Sequence, residues 1–545
     1  MLGETSPRWN MTVESRAQDV PESLDVAILG GGFAGNLIAR QLMRARSGLR
    51  VGLIERSAER SFKVGESIVE LASHYLIERL GLSGYLYQHH LPKNGLRFFF
   101  DTPEKNAELE AMSEIGSTAL PYLPSFQIDR SRMEADLLEM NRRAGVHVLC
   151  PAKVQNVTVA SGGEPHRFDV KIGDEVRTVQ ARWLVDATGR TSLVARARDL
   201  RTDAEHPMAA VWGRFRGVVD LDSYGPPAFR ARVKHTSRML STNHFLYPGY
   251  WVWFIPLREG LTSVGVVIDS EAFDDAMRSS EGFRRFLDGH TAISRLLERA
   301  EMVDALSFGS LTYGTKRFVH GGERWGLVGD AAVASDPLYS PGSDFIAMEN
   351  DFVSDLIVRD ADGEAPDAIA ERADLYDGFL QYRFDSTMRL YRKLYGALGS
   401  YELLGLKWDF DIASYYNLWV EPYMQDRHLD AEYLKSQLRL RKMVPTVIES
   451  FSGLFGRVER HLREQGRYYD KNLGAFRLPF PAMAGHEHLG EPESGEQSLM
   501  RAEKAFHEVR KRALELLGHA DLAADAKQLP MRHFMLGRPV LPELE

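Results

Sequence analysis

Gly30, Gly32 and Gly35 stand in the spacing G-x-G-x-x-G, where an apolar run, DVAILG, gives way to a helical pattern, AGNLIARQLMRAR. The first glycine permits a tight turn and the second lets backbone approach a pyrophosphate. The pyrophosphate then sits at the positive helix N-terminus. A second apolar run, VGLIER, follows. Glu55 ends it 20 residues after Gly35, where an acid can hold ribose hydroxyls. Strand, glycines, helix, strand and acid in that order predict a βαβ dinucleotide-binding unit, with Phe33 and Ala34 in the cofactor turn.

Composition narrows what such a unit can belong to. The chain has 545 residues, 44% hydrophobic and 26% charged, which suits several globular folding units with a large core. Its formal charge of -9 lacks the basic footprint of a nucleic-acid binder. The single cysteine, Cys150, excludes an internal disulfide and any all-cysteine metal site, and it fits a reducing compartment. The first two dozen residues hold no apolar run, so they read as a disordered tail (1–24) without signal or anchor. No run elsewhere is long and apolar enough to span a bilayer. The expectation is a cytoplasmic protein with no membrane partner.

Along the chain, strand-rich segments interrupt an α/β pattern. The reading places FAD-binding segments at 25–90, 128–200 and 311–360. Substrate-domain segments fall at 91–127 and 201–310. A helical C-terminal region covers 361–545, with a polar linker near 485–497. A helix is expected over Ile128 to Gly145, led by Gln127 and Arg130.

The later motifs choose the cofactor. WGLVGDAAVASDP (Trp325 to Pro337) resembles the second FAD fingerprint of glutathione-reductase-like flavoproteins, whose aspartate, here Asp330, holds the ribityl chain. LVDATG (Leu184 to Gly189) resembles the middle fingerprint of aromatic monooxygenases and halogenases. Gln127 and Arg130 resemble the flavin-contacting pair of the same families. The implied fold is α/β: a glutathione-reductase-like FAD-binding fold with an inserted β-sheet substrate domain.

WVWFIP (Trp251 to Pro256) puts two tryptophans on one face of a strand. It resembles the W-x-W-x-I-P signature of the flavin-dependent halogenases, in which Trp251 and Trp253 would wall the flavin. Gly65-Glu66-Ser67 resembles the family's G-E-S turn. Lys93, 28 residues after Gly65 and just before Phe98 to Phe100, stands where the phenol- and pyrrole-type branch carries its catalytic lysine. Lys63, before the turn, is the weaker candidate. Tyr339 replaces the glutamate of tryptophan halogenases, as an aromatic does in the phenol branch. Pro341 removes one backbone N–H from the loop that binds halide in the family, leaving Gly342 and Ser343 as donors, with Ser343 a candidate to open the following helix. The resemblance covers roughly Asp25 to Val420.

It implies that FADH2 from a separate flavin reductase, oxygen and chloride or bromide yield hypohalous acid. That acid reaches Lys93 beside an electron-rich aromatic substrate, free or carrier-bound. Two other readings compete: an NAD(P)H-dependent aromatic hydroxylase, and a flavoprotein without catalysis.

Remaining features carry less. His486 and His488 in a polar linker lack a third metal ligand. His89 and His90 lie near Lys93 and are either pocket residues or plain loop residues. Ser67 belongs to the turn, not to a hydrolase elbow, and Cys150 reads as buried and inert. The stretch Tyr382 to Tyr423 holds 11 aromatics, which pack a core or line an aromatic pocket.

Overall fold

The computed structural model describes residues 20–59, 62–121, 123–392, 394–479, 489 and 495–545. Of the expected tail, residues 1–19 lie outside this set, while Ser23 and Leu24 already belong to the first strand, Ser23–Leu29. Of the expected linker, only 489 and 495–497 are described, and the last three open the helix Gly495–Leu516. His486 and His488 lie outside the described residues.

The nucleotide domain is built on a parallel sheet in the order Trp325–Leu327, Glu175–Asp186, Ser23–Leu29, Val51–Ile54, His147–Leu149. Val26, Ala27, Ile28 and Leu29 are all buried, as expected of a strand covered on both faces. Helix Phe33–Ala45 packs on one side, alongside Arg130–Arg143 and Pro341–Ala361.

The substrate sheet has eight strands. Its order is Glu301–Phe308, Met208–Arg216, Leu261–Asp269, Tyr250–Pro256, Thr242–Tyr247, Leu96–Phe100, Ser113–Ile115 and Phe476–Arg477. The last strand comes from the C-terminal region, a contribution that the almost uniformly helical pattern there conceals. Alternation splits the sheet between two cores. Phe98, Phe100, Trp251 and Trp253 face the main core shared with the nucleotide domain. Phe99, Val252 and Phe254 face a second core closed by helices Ser280–Asp288 and Thr291–Leu296.

Helices Pro366–Tyr391 and Tyr401–Tyr415 carry the chain across the inner side of this sheet. Trp408 meets Phe98 edge-on at 5.0 Å, and Tyr401 meets Phe100 at 5.4 Å. A three-stranded patch, Ser67–Ile68, Ser125–Gln127 and Leu91–Lys93, joins the two domains. Among the described residues, no helix is long and apolar enough to cross a membrane, and no cluster of three or more metal-ligating side chains forms.

Candidate active site

The glycine turn has the geometry its spacing predicts. Gly30 lies at φ +107°, and a Cβ there would collide with the Ala187 carbonyl; one on Gly35 would collide with the Gly30 carbonyl. A Cβ on Gly32 would meet nothing within 4 Å. Two glycines therefore close the turn, and the third leaves open space before a helix whose N-cap has no side-chain partner. Glu55 steadies the turn by accepting from the Gly31 N–H at 2.7 Å.

The other fingerprints converge on that space. Asp186 accepts from the Thr188 and Val194 N–H groups at 3.0 and 2.7 Å, so it holds the wall on which Gly30 packs. Gly329, at φ +62°, packs on Ala34. Asp330 opens onto the cleft. The surrounding protein pushes its carboxyl up, opposed by Arg130, Arg190, Arg201 and Lys63. Arg130 lies over the Phe33 ring at 4.5 Å and donates to the Val64 carbonyl at 2.9 Å. Gln127 is buried with neither amide atom hydrogen-bonded.

The sequence expectation needs one adjustment here. Gln127 ends a strand, and the helix starts at Arg130, capped by Asp129, whose side chain accepts from the Arg132 N–H. An asparagine or aspartate is favoured at this cap, so the helix begins later than periodicity alone suggests. A cradle open at Gly32, an unpartnered buried amide and cations around a carboxylate fit a dinucleotide.

The G-E-S turn connects this cleft to a second one. Gly65, at φ +90°, sits where a Cβ would lie 2.7 Å from Arg130 Nη1. Glu66 is paired with Arg214 of the substrate sheet at 2.7 Å. Ser67 Oγ accepts from Lys93 Nζ at 2.8 Å and lies 2.9 Å from Thr242 Oγ1 and 3.1 Å from Ser340 Oγ. Lys93 also donates to the Ile68 carbonyl at 3.2 Å. Its ammonium is buried, and that burial lowers its pKa to about 8 against the pull of Glu70 and Asp344. Lys63 is different: its side chain is 43% exposed and paired with Glu134 at 2.7 Å.

Lys93 lines a pocket together with Glu70, Asp344, Arg383 and Asp411. Aromatic walls come from the dense stretch noted in the sequence: Tyr391, Trp408, Tyr415, Tyr416 and Trp419. Tyr339 also lines it, meeting Trp408 edge-on at 5.3 Å. Its hydroxyl donates to Asp411 Oδ2 at 2.8 Å, and Lys407 pairs with the same carboxylate. Asp411 Oδ1 is buried without a partner, and burial pushes this carboxyl up. Asp344 accepts from the Ala72 N–H and the Tyr415 hydroxyl, both at 3.1 Å. Burial pushes it to about 7, although Arg383 opposes.

Sequence reasoning missed Glu70, Asp344, Arg383 and Asp411 because each reaches the pocket from a helix that local patterning does not place. Glu70 stands three residues beyond Ser67, and Asp344 three beyond Pro341, so both lay close to motifs that were legible.

The halide expectations also shift in detail. Helix Pro341–Ala361 begins at Pro341, with Ser340 as N-cap at φ 60°. Ser343 therefore does not open the helix. Proline suits the first helical position, where its fixed φ fits and an N–H would have no intrahelical acceptor. The Gly342 and Ser343 N–H groups occupy the next two first-turn positions, where intrahelical acceptors are lacking. Space is open around Gly342.

Trp251 and Trp253 lie on one face, ring centroids 5.6 Å apart. Trp251 donates to the Tyr395 hydroxyl at 2.9 Å and Trp253 to Ser263 Oγ at 3.2 Å. His90 takes the Asp129 N–H at 3.2 Å and His89 meets Arg132 at 2.8 Å, and neither lines the pocket.

The FAD binding domain family matches residues 23–343, more than half the chain. The flavin-dependent halogenase chlA of Dictyostelium discoideum is 28% identical over 74% of this chain and 71% of its own. The 1H-pyrrole-2-carbonyl-(peptidyl-carrier protein) chlorinase of Pseudomonas fluorescens is 26% identical over 58% and 72%. Several further halogenases are spanned over less than two thirds of their length. The fold matches halogenase PltM, solved with phloroglucinol and FAD, at a TM-score of 0.66 and 17% identity over 92% of this chain and 98% of that one. The chain belongs to the FAD-binding-domain family, and within it to the flavin-dependent halogenases, with FAD as its cofactor.

Proposed function

We propose that the chain halogenates an electron-rich phenol or pyrrole, using FADH2 from a separate reductase, oxygen and chloride or bromide. The observation that carries this reading is the G-E-S turn. Its Gly65 end touches Arg130 in the FAD cleft, and its Ser67 end holds a buried amine in an aromatic pocket.

Reduced FAD, when bound, supplies the electrons that turn oxygen and halide into a hypohalous acid. Gly30, Gly32, Gly35, Glu55, Arg130 and Asp330 would hold it, with Trp251 and Trp253 as a wall. The first-turn N–H groups of Gly342 and Ser343 would hold halide, because a helix N-terminus favours anions.

Lys93 would then position hypohalous acid by hydrogen bond, or carry the halogen as a haloamine. With pKa near 8 the amine is protonated in part and neutral in part near neutral pH, so both forms are accessible. The aromatic substrate stacks among Tyr391, Trp408 and Trp419. A phenol hydroxyl donating to Asp411 Oδ1 raises electron density in the ring. The carbon–halogen bond forms as the bond to halogen in the acid or haloamine breaks, and the ring proton leaves to a pocket carboxylate. Asp411, held by Tyr339, thus offers the acid group that the loop itself lacks at position 339. Carrier-bound substrate is a second form of the same reading, supported by the name of the Pseudomonas relative alone.

The test is dependence on a second protein. Purified chain with NADH, oxygen, bromide and a phenol should consume little NADH until a flavin reductase is added. Brisk, phenol-stimulated NADH oxidation by the chain alone would favour a hydroxylase.

A further inference from the structure

Arg383 stands in the pocket with most of its hydrogen-bonding capacity unspent. Its side chain is 3% exposed. Only Nη2 has an acidic neighbour, Asp344 at 3.5 Å, while Nε and Nη1 are buried with no partner. The flat face of the guanidinium is occupied: its carbon lies 4.9 Å from the Trp419 ring and 5.5 Å from that of Phe345. The in-plane donors on Nε and Nη1 are therefore what remains for a ligand.

A buried donor left unmade costs free energy, more so for a charged group. Nothing in the catalytic reading above uses Arg383. Lys93 acts on the halogen, and Asp411 Oδ1 takes a phenol hydroxyl from another wall, on helix Tyr401–Tyr415. Arg383 comes from helix Pro366–Tyr391 and offers only donors, because a guanidinium has no acceptor. Its complement is an oxygen acceptor on the substrate.

We propose that Arg383 is a specificity-determining residue. It selects phenols that carry a hydrogen-bond-accepting oxygen substituent, a carbonyl or a carboxylate, and fixes how the ring is presented to Lys93. The proposal rests on the aromatic pocket of the proposed function, but it concerns binding and not turnover. The partly balancing Asp344 favours a neutral carbonyl over a carboxylate at this position, since a second anion would face the first across one guanidinium.

Equilibrium binding decides it without requiring halogenation. Titrate the full-length, FAD-loaded protein with resorcinol, 2,4-dihydroxyacetophenone and 2,4-dihydroxybenzoate, following tryptophan fluorescence, to which Trp408 and Trp419 in the pocket contribute. The wild type should bind the acetophenone roughly ten- to a hundredfold tighter than resorcinol, the range of a buried charge-assisted hydrogen bond. The benzoate falls between them if Asp344 is ionised, and it matches or exceeds the acetophenone if a carboxylate is the natural anchor. Arg383→Met should bind all three equally, at the resorcinol level, and Arg383→Lys should recover only part of the discrimination. Equal wild-type affinities for all three ligands would overturn the proposal whether or not either variant folds. So would an Arg383→Met variant that keeps the preference. Discrimination without any halogenated product would leave Arg383 its role and remove the halogenase reading.

Discussion

Lys93 Nζ lies 2.8 Å from Ser67 Oγ, and the same hydroxyl lies 3.1 Å from Ser340, the residue that caps the helix opening at Pro341. One serine therefore sits between the amine in the pocket and the helix end whose free N–H groups suit an anion. Ser67→Ala removes an acceptor from the ammonium without touching the nucleotide turn. Hydrogen bonding to a charged form favours that form, so the Lys93 pKa should fall below about 8 in the variant. Asp344→Asn should lower it as well, because Asp344 pulls it up. Competitive acylation of Lys93 across pH 6–10 reads both shifts. Flavin content should be unchanged in Ser67→Ala, and product formation should fall roughly tenfold.

The buried amine weakens the fold it serves. Its pKa drops from 10.5 to about 8, a difference worth about 3 kcal/mol at neutral pH. The unfolded chain holds this proton up to a higher pH than the folded one. The penalty is therefore full below pH 8 and is relieved as pH rises from 8 to 10.5. Lys93→Met should raise the unfolding free energy at pH 7 by up to about 3 kcal/mol and flatten the gain over that window. It should keep FAD and yield no halogenated product. Denaturant melts at pH 7 and pH 10 measure the first claim.

Two glycines of one motif should fail in different ways. Gly32→Val meets open space, so the apoprotein should melt normally while FAD affinity falls about a hundredfold. Gly35→Val drives its Cβ into the Gly30 carbonyl, so the apoprotein itself should be destabilised, by several kcal/mol. Thermal melts of flavin-free protein beside flavin titrations separate the two.

Lys63→Ala should leave halogenation within about twofold of wild type once FAD is saturating, because Lys63 is half exposed and paired with Glu134. It lies within electrostatic reach of Asp330, so the expected change is a several-fold weaker flavin affinity. Product yield measured against FAD concentration distinguishes the two lysines.

Local sequence carried the nucleotide half of the site well. Gly35 is demanded by the Gly30 carbonyl five residues earlier, and Gly30 and Gly329 sit at positive φ, so short segments report this geometry even though Gly30 also packs on the distant Ala187 carbonyl and Gly329 on Ala34. Lys93 was legible because Gly65 and Phe98 bracket it. Asp411 and Arg383 were not, because they reach the pocket only when helices Tyr401–Tyr415 and Pro366–Tyr391 pack across the substrate sheet. That packing depends on long-range contacts such as Trp408 on Phe98. The same limit hid the strand Phe476–Arg477, which is two residues long and pairs with Ser113–Ile115 more than 350 positions earlier in the chain. Pro341 lacks an N–H in either setting, but the structure makes it the first residue of a helix, a position that proline suits, and not a residue within a loop.

Under the proposed function, FADH2, oxygen and halide chemistry ends on an aromatic carbon through Lys93. The most direct measurement is mass spectrometry of products formed by the chain with FAD, a flavin reductase, NADH, oxygen and bromide on a panel of phenols and pyrroles, with Lys93→Ala in parallel. Wild type should give a product bearing the bromine isotope doublet, and Lys93→Ala none, despite retained FAD and continued oxygen consumption. A product heavier by one oxygen and free of bromine, or brominated product from Lys93→Ala at the wild-type rate, would contradict the proposed function.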